Sequence, residues 1–273
     1  MKLTAKNYYS RQANEAFFST SQVKALRKCE AAALAELRGE YVRPQTTALL
    51  VGGYVDAYYE GSLDTFIASN PEVMKRDGSL KAEFVQAGHI VKRLEQDRLF
   101  HMLLSGRKQV IRTGKIAGYQ FKIKMDSLLS RRKVQEILKA FPGTDTVLDP
   151  TFGAIVDLKI MRDMGPVWSA EDNSRVPFVE AWGYDLQGAV YQAVEGNGLP
   201  FVLAVGTKED ATDLAALTIP DERLTEALYV LEDELPHLAD VKFGRVAPTY
   251  CGRCPYCRSV KRLDHISDYR EVC

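Results

Sequence analysis

The 273-residue chain is predicted to be an α/β protein: a mixed central sheet flanked by helices in the order α-β-β-β-α-β, with a helical N-terminal part and a cysteine-rich C-terminal tail. Three observations carry this expectation. Apolar residues recur at helical spacing through the first hundred positions, period-two alternation takes over in the middle, and three of the five cysteines fall within one seven-residue stretch near the end.

Ser19-Thr20-Ser21-Gln22 fits a capping box and opens a helical stretch to about Arg38, with Gly39 as its stop and Cys29 inside it. A second helix is expected over 46–60. A third spans 82–104, where Phe84, Ile90, Val91, Leu94, Leu99 and Leu103 mark one face. Strands follow at 109–116 and 119–129, a hairpin around Gly118, and at 154–161. Residues 180–195 read as a helix ended by Gly196-Asn197-Gly198, 201–205 and 214–219 as strands, and 221 to about 235 as the last helix. The expected organisation is one domain over 1–273: a mainly helical part at 1–105, an α/β core at 106–220, and a C-terminal helix and metal-binding tail at 221–273 that pack back on the N-terminal helix.

Lys plus Arg and Asp plus Glu both total 36, so a nucleic-acid partner has to be held by a local basic patch. The start lacks an apolar signal core, and no apolar run reaches the ~20 residues of a membrane helix, which predicts a cytoplasmic protein with no membrane partner. Phosphate-binding loops, dinucleotide fingerprints, H-E-x-x-H and G-x-S-x-G are absent, and the four histidines are scattered.

Alternation along Phe121-Lys-Ile-Lys-Met-Asp126 puts Phe121, Ile123 and Met125 toward the core, with Lys122, Lys124 and Asp126 on the other face. In Ile155-Val-Asp-Leu-Lys159 the same geometry projects Asp157 and Lys159 together, with Leu158 opposite. Two carboxylates from neighbouring strands make an oxygen-rich site suited to Mg²⁺ or Mn²⁺, and a lysine beside them can orient a water and stabilise a pentavalent phosphate. Asp240-Val-Lys242 matches the same tripeptide but trails a helix with no partner acid, so it is assigned no chemistry. Gln187 and Tyr191 share a helix face at i,i+4 with Tyr184. Positive charge that could track phosphates lies in Lys122, Lys124, Arg131, Arg132 and Lys133, and in the tail at Arg253, Arg258, Lys261 and Arg262.

Taken along the chain, Gly52-Gly-Tyr-Val-Asp56, Gly118 to Asp126, Ile155 to Lys159 and Tyr184-Asp-Leu-Gln187-Gly-Ala-Val-Tyr191 resemble the motif series of the RecB-like branch of the PD-(D/E)XK nucleases, and most closely the phage RecE-type (exodeoxyribonuclease VIII-like) exonucleases. The resemblance implies a restriction-endonuclease-like core. It also implies Asp126 and Asp157 as metal ligands with Asp56 and the Leu158 carbonyl, Lys159 as the catalytic lysine, and Gln187 and Tyr191 positioning DNA or the lysine. Asp56 stands where many relatives carry His, and Ile160 where Thr or Ser is usual; Asp56 still offers oxygen to a hard cation.

Cys251-x2-Cys254-x2-Cys257 brings three thiolates to one centre and requires a fourth ligand, Cys29 or Cys273. The one-plus-three layout resembles iron-sulfur nucleases such as AddB, which implies Cys29 and a [4Fe-4S] cluster. The short last spacing keeps Zn²⁺ as the alternative.

The expected function is a Mg²⁺-dependent exonuclease on linear double-stranded DNA, by resemblance 5′-to-3′, leaving 3′ tails for a single-strand annealing recombinase. A homo-oligomeric ring and a bacterial or phage-infected host cell go with that resemblance. The alternatives are a single-strand exonuclease of the iron-sulfur CRISPR-adaptation type and a catalytically silent DNA-binding scaffold.

Overall fold

The computed structural model describes residues 1–169, 173–263, 266, 268 and 270. Cys273 and His265 lie outside the described residues. Helices α1 (Arg11–Ala16), α2 (Thr20–Lys28), α3 (Glu30–Arg38), α4 (Thr47–Glu60), α5 (Leu63–Ser69), α6 (Ala82–Gln96) and α7 (Arg98–Leu103) precede the sheet. Strands β1 (Arg107–Ile116) and β2 (Tyr119–Leu129), helix α8 (Arg131–Ala140) and strand β3 (Ala154–Met161) follow. After them come a small hairpin, β4 (Val167–Ser169) and β5 (Ser174–Val176), and helices α9 (Phe178–Ala181) and α10 (Tyr184–Glu195). Strands β6 (Phe201–Thr207) and β7 (Leu214–Thr218), and helices α11 (Asp221–Lys242) and α12 (Pro255–Val260), complete the described elements.

The main sheet runs β1-β2-β3-β6-β7, antiparallel throughout except for the parallel pair β3/β6, whose crossover contains α10. It is therefore the expected mixed sheet. Alternation sends Ile155, Leu203 and Val205 into one core with Leu26, Val190 and Leu235 from α2, α10 and α11. Val156, Leu158, Val202 and Ala204 enter a second core with α4, α6, α7 and α8. Both faces of the sheet are thus covered, as a parallel strand pair at its centre requires.

Four helices differ from expectation at their interruptions or ends. The stretch 20–38 is two helices, broken at Cys29, which is extended (φ −169°, ψ 107°). The cause is tertiary: Ala31 N–H donates to the Thr249 carbonyl at 3.2 Å, and Thr249 N–H to the Glu30 carboxylate at 2.7 Å, so the C-terminal segment seizes the start of α3. Asp97 breaks 82–104 and caps α7 through Phe100 N–H at 2.9 Å. The helix expected over 180–195 is α9 and α10, separated at Trp182-Gly183, where Gly183 takes φ +60°. The last helix continues past Leu235 through Pro236 to Lys242. Pro236 is on the exposed side, as is Glu232, whose carbonyl its ring deprives of a donor, while Leu238, Ala239 and Val241 extend the buried stripe. Among the described residues, no helix is long and apolar enough to cross a membrane.

Candidate active site

The site is made by a sheet that comes apart. Strands β2 and β3 pair only at Ser127/Val156, Leu128/Ile155 and Leu129/Ala154. The next rung would set Asp126 directly against Asp157, and like charges directly opposed are unfavourable. There the strands diverge, and Asp126 Oδ2 accepts the freed Leu158 N–H at 3.0 Å. The edge of β2 that β3 abandons is taken by the N-terminal segment: Phe18 N–H donates to the Gln120 carbonyl and Lys122 N–H to the Phe18 carbonyl, both at 2.8 Å.

Asp157 is 1% exposed and held on both oxygens. Lys159 Nζ donates to Oδ2 and, at 3.3 Å, to the Leu158 carbonyl. Gln187 Nε2 donates to Oδ1 at 2.6 Å. Gln187 also donates to the Tyr191 hydroxyl at 3.1 Å, which donates to the Lys124 carbonyl of β2 at 3.0 Å. This chain of bonds runs from the acid on β3 across α10 to the facing strand. It depends on α10 lying close to its neighbours: a Cβ at Gly188 would sit 2.8 Å from Phe201 and 2.9 Å from Leu224. Tyr191 is buried and its hydroxyl bonds within the protein, accepting from Gln187 and donating to the Lys124 carbonyl, so it supports Gln187.

Electrostatics follow from this crowding. Burial lifts the Asp157 carboxyl to about 6, the Lys159 ammonium pulling it down and Asp126 pushing it up. For Lys159, burial opposes the charged form, but Asp157 and Asp126 outweigh it and hold the ammonium above its ordinary value. Asp56 on α4 rises to about 8 through burial, then through Asp126 and Asp157, with Lys159 opposing. Acids raised by burial and by one another's charge are what a cation between them would reverse. Asp56, Asp126 and Leu158 line one small cavity, and all of their available donors are oxygens, the set a hard divalent ion takes.

The structure separates the cations expected at DNA. Lys124 lines a cleft of about 700 Å³ with Tyr9, Asp56 and Glu60, its ammonium 3.5 Å from Glu60. Lys122 is a correction: it is 1% exposed, with Nζ donating to the Tyr8 carbonyl and, at 2.7 Å, to Asn14 Oδ1. It anchors the N-terminal segment and is not available to phosphates. Arg131 and Arg132 open α8 in an exposed position, engaged by the Pro150 carbonyl (3.2 Å) and Glu136 (3.1 Å) and not brought to the carboxylates.

Lys24 on α2 was not singled out by any pattern, yet its ammonium donates to the Trp182 carbonyl at 2.8 Å and lies 5.2 Å from the Tyr184 ring. Lys159 sits 5.4 Å from the same ring. Burial, then Lys159, lowers Lys24 to about 8. A lone helical lysine leaves no signal in sequence; only the fold puts it beside the site.

Away from the fork, Cys29, Cys251, Cys254 and Cys257 come together with all four Sγ atoms within 4.8 Å of one another. Individual separations are 3.5 Å (Cys29–Cys257) and 3.8 Å (Cys251–Cys257 and Cys29–Cys254). Cys254 N–H points at Cys251 Sγ (3.3 Å) and Cys257 N–H at Cys254 Sγ (3.4 Å), and such donors hold the Cys251 thiol down to about 6. Glu30, next to Cys29, binds His237 at 2.6 Å as well as Thr249, tying the cluster to α11.

Comparison with known proteins agrees with this architecture. Residues 19–141 and 145–260 match the family described as PDDEXK-like domain of unknown function (DUF3799), and the chain belongs to that family. A search of curated proteins found no match. Among solved structures, the chain is similar to a crystal structure named "Putative exonuclease" from Eubacterium rectale, at 39% identity and a TM-score of 0.87, covering 100% of this chain and 98% of that one. The fold is restriction-endonuclease-like.

Proposed function

We propose that this chain is a divalent-metal-dependent deoxyribonuclease, an exonuclease acting on the ends of linear duplex DNA. The observation that carries the reading is the open fork, where Asp126 and Asp157 flank Leu158 and Lys159 is ion-paired to Asp157. Asp126 and Asp157, with Asp56 and the Leu158 carbonyl, would hold Mg²⁺ or Mn²⁺. Such an ion supplies a lowered water pKa and neutralises phosphate charge. The chain's own groups do the rest. Lys159 keeps its proton and presents a fixed positive charge to a phosphate gaining negative charge. Gln187 fixes the Asp157 rotamer, and Lys124 in the adjoining cleft offers charge to the DNA backbone.

Similarity to the PDDEXK-like family and to the Eubacterium rectale protein supports this reading. The RecE-type motif series supports its finer part: 5′-to-3′ degradation, 3′ tails passed to an annealing recombinase, and a ring of subunits. End-labelled linear duplex, closed circular duplex and single-stranded DNA, each incubated with Mg²⁺ and wild-type or Lys159→Ala protein, test it. Digestion of the linear duplex by wild type alone is expected. Equal digestion by the two proteins, or by neither, overturns the reading, and preference for single strands transfers it to the CRISPR-adaptation type.

For the cysteines we propose one structural Zn²⁺ in place of the [4Fe-4S] cluster that the resemblance implies. Four ligands about 2.3 Å from one tetrahedral ion stand about 3.8 Å from one another; here three of the separations are 3.5, 3.8 and 3.8 Å and all lie within 4.8 Å, whereas a four-iron cube places each thiolate on a separate iron and spreads them further. Metal analysis of anaerobically purified protein is expected to give one zinc and no visible absorption; four irons with a brown colour would reverse the assignment.

A further inference from the structure

We propose that Gln109 is a positioning residue for Asp126, its amide N–H holding the carboxylate and its carbonyl oxygen accepting from a water of the cation bound there. The inference rests on the metal-dependent reading above and extends it to a residue that no motif includes.

The β1/β2 ladder is regular at Lys108/Ser127 and at Val110/Met125, but the level between them, Gln109 beside Asp126, drops out. Gln109 takes φ +52°, in the left-handed region. Among the described residues two other non-glycines do so, Ala117 in the hairpin turn and Asn173 next to β5; Gln109 alone lies inside a strand. On β2, Met125 belongs to the core under α10, while Ser127, two residues on, donates to the Leu103 carbonyl of α7 on the other side. Alternation thus slips at this level in both strands. The slip falls after Asp126, which stays with Lys124 on the α4 side, where its Oδ2 meets the Leu158 N–H.

Strained backbone persists where the surroundings impose it. What it gives here is a side chain delivered to the site: Gln109 Nε2 donates to Asp126 Oδ1 at 3.4 Å, as Gln187 does to Asp157 from the opposite side. The other half of the amide is unused. Gln109 Oε1 is buried with no hydrogen-bond partner, and the residue lines the same small cavity as Asp56, Asp126 and Leu158. That cavity has room for about one water-sized particle. A buried amide oxygen without a donor needs one, and Mg²⁺ retains waters whose hydrogens are such donors. Lys108, which also lines the cavity, is committed to the Leu104 carbonyl, while the Tyr59 hydroxyl on the same cavity is likewise buried without a hydrogen-bond partner, so a water there has two protein groups to serve.

Mn²⁺ titration followed by calorimetry and by loss of the free-ion paramagnetic signal tests the assignment in wild type, Gln109→Gly and Gln109→Asn. Glycine removes the amide and the unfavourable backbone together, so the metal-free protein is expected to melt at or above the wild-type temperature while Mn²⁺ binds about tenfold more weakly, in the range for loss of an outer-shell partner. The metal concentration for half-maximal cleavage should rise by a similar factor. Asparagine tolerates the left-handed backbone but is one methylene short, and is expected to weaken Mn²⁺ while leaving melting unchanged; it replaces glycine if that variant loosens β1. A folded variant that binds Mn²⁺ as tightly as wild type overturns the role of Gln109 and leaves the nuclease reading standing. Wild type that neither binds Mn²⁺ nor cuts DNA overturns both.

Discussion

The fork between β2 and β3 and the cysteine staple at the chain's end are both poised for a metal, but they are built in opposite ways. At the fork the two strand acids already have partners from the protein: Asp157 has Lys159 and Gln187, and Asp126 has Leu158 N–H and Gln109. At the staple the sulfurs have mainly one another and a few N–H groups. A small apolar cluster of Ala31, Ala32 and the cysteines surrounds them, separate from the two main cores. The difference teaches that the fork is held by the fold, whereas on the proposed reading the staple would need an ion to hold its part of the fold. Loss of metal should therefore silence the first without loosening it and loosen the second.

The largest effect expected is on chemistry. Asp157→Asn, which keeps shape and the bond from Gln187, should lower DNA cleavage about a thousandfold with melting close to wild type; a variant that cuts normally removes Asp157 from the reaction. Next is Cys257→Ser, or stripping of the staple's ion by a strong chelator. Either is expected to cost at least about 3 kcal/mol, a fall of about 6–12 °C in melting temperature, whereas omitting Mg²⁺ should move melting by much less. Equal shifts from the two treatments would erase the distinction. Gln187→Ala is expected to lower activity by about 10–100-fold, through weaker metal binding rather than unfolding, as read by metal titration.

The smallest effect concerns pH. Burial, then Lys122, lowers Lys242 to about 7, and its ammonium donates to the Phe17 carbonyl at 2.7 Å and Gln22 at 3.0 Å. A lysine with a depressed folded value binds fewer protons folded than unfolded. Its destabilising contribution is therefore full below pH 7 and is relieved as pH rises toward the ordinary lysine range. Lys242→Met should flatten the rise in stability between pH 7 and 10. An unchanged slope in urea titrations would assign that rise to other groups.

Much of the frame was legible because it is local. Alternation through 121–126 and 155–159 marked β2 and β3, whose ends match expectation, and the Gly196-Asn197-Gly198 stop marked the end of α10. What escaped depended on distant partners. Residues 26–30 have no helix breaker, and only Thr249 reveals why the helix stops at Cys29. Lys122 does alternate with the apolar residues as expected, but nothing in β2 announces that Tyr8 and Asn14 will cover it. Gln109 reads as an ordinary strand residue, since a positive φ leaves no trace in a side chain that can tolerate it.

The break at Cys29 has a practical consequence for the whole chain. Helix α2 ends in the staple and, five residues earlier, carries Lys24, a distance of about 7.5 Å along the axis. One short rod therefore joins the thiol centre to the tyrosine that Lys24 and Lys159 share. Oxidants that attack the cysteines would then act as inhibitors at a distance, and any shortened version ending near Gly244 would lose the lever's anchor along with its tail.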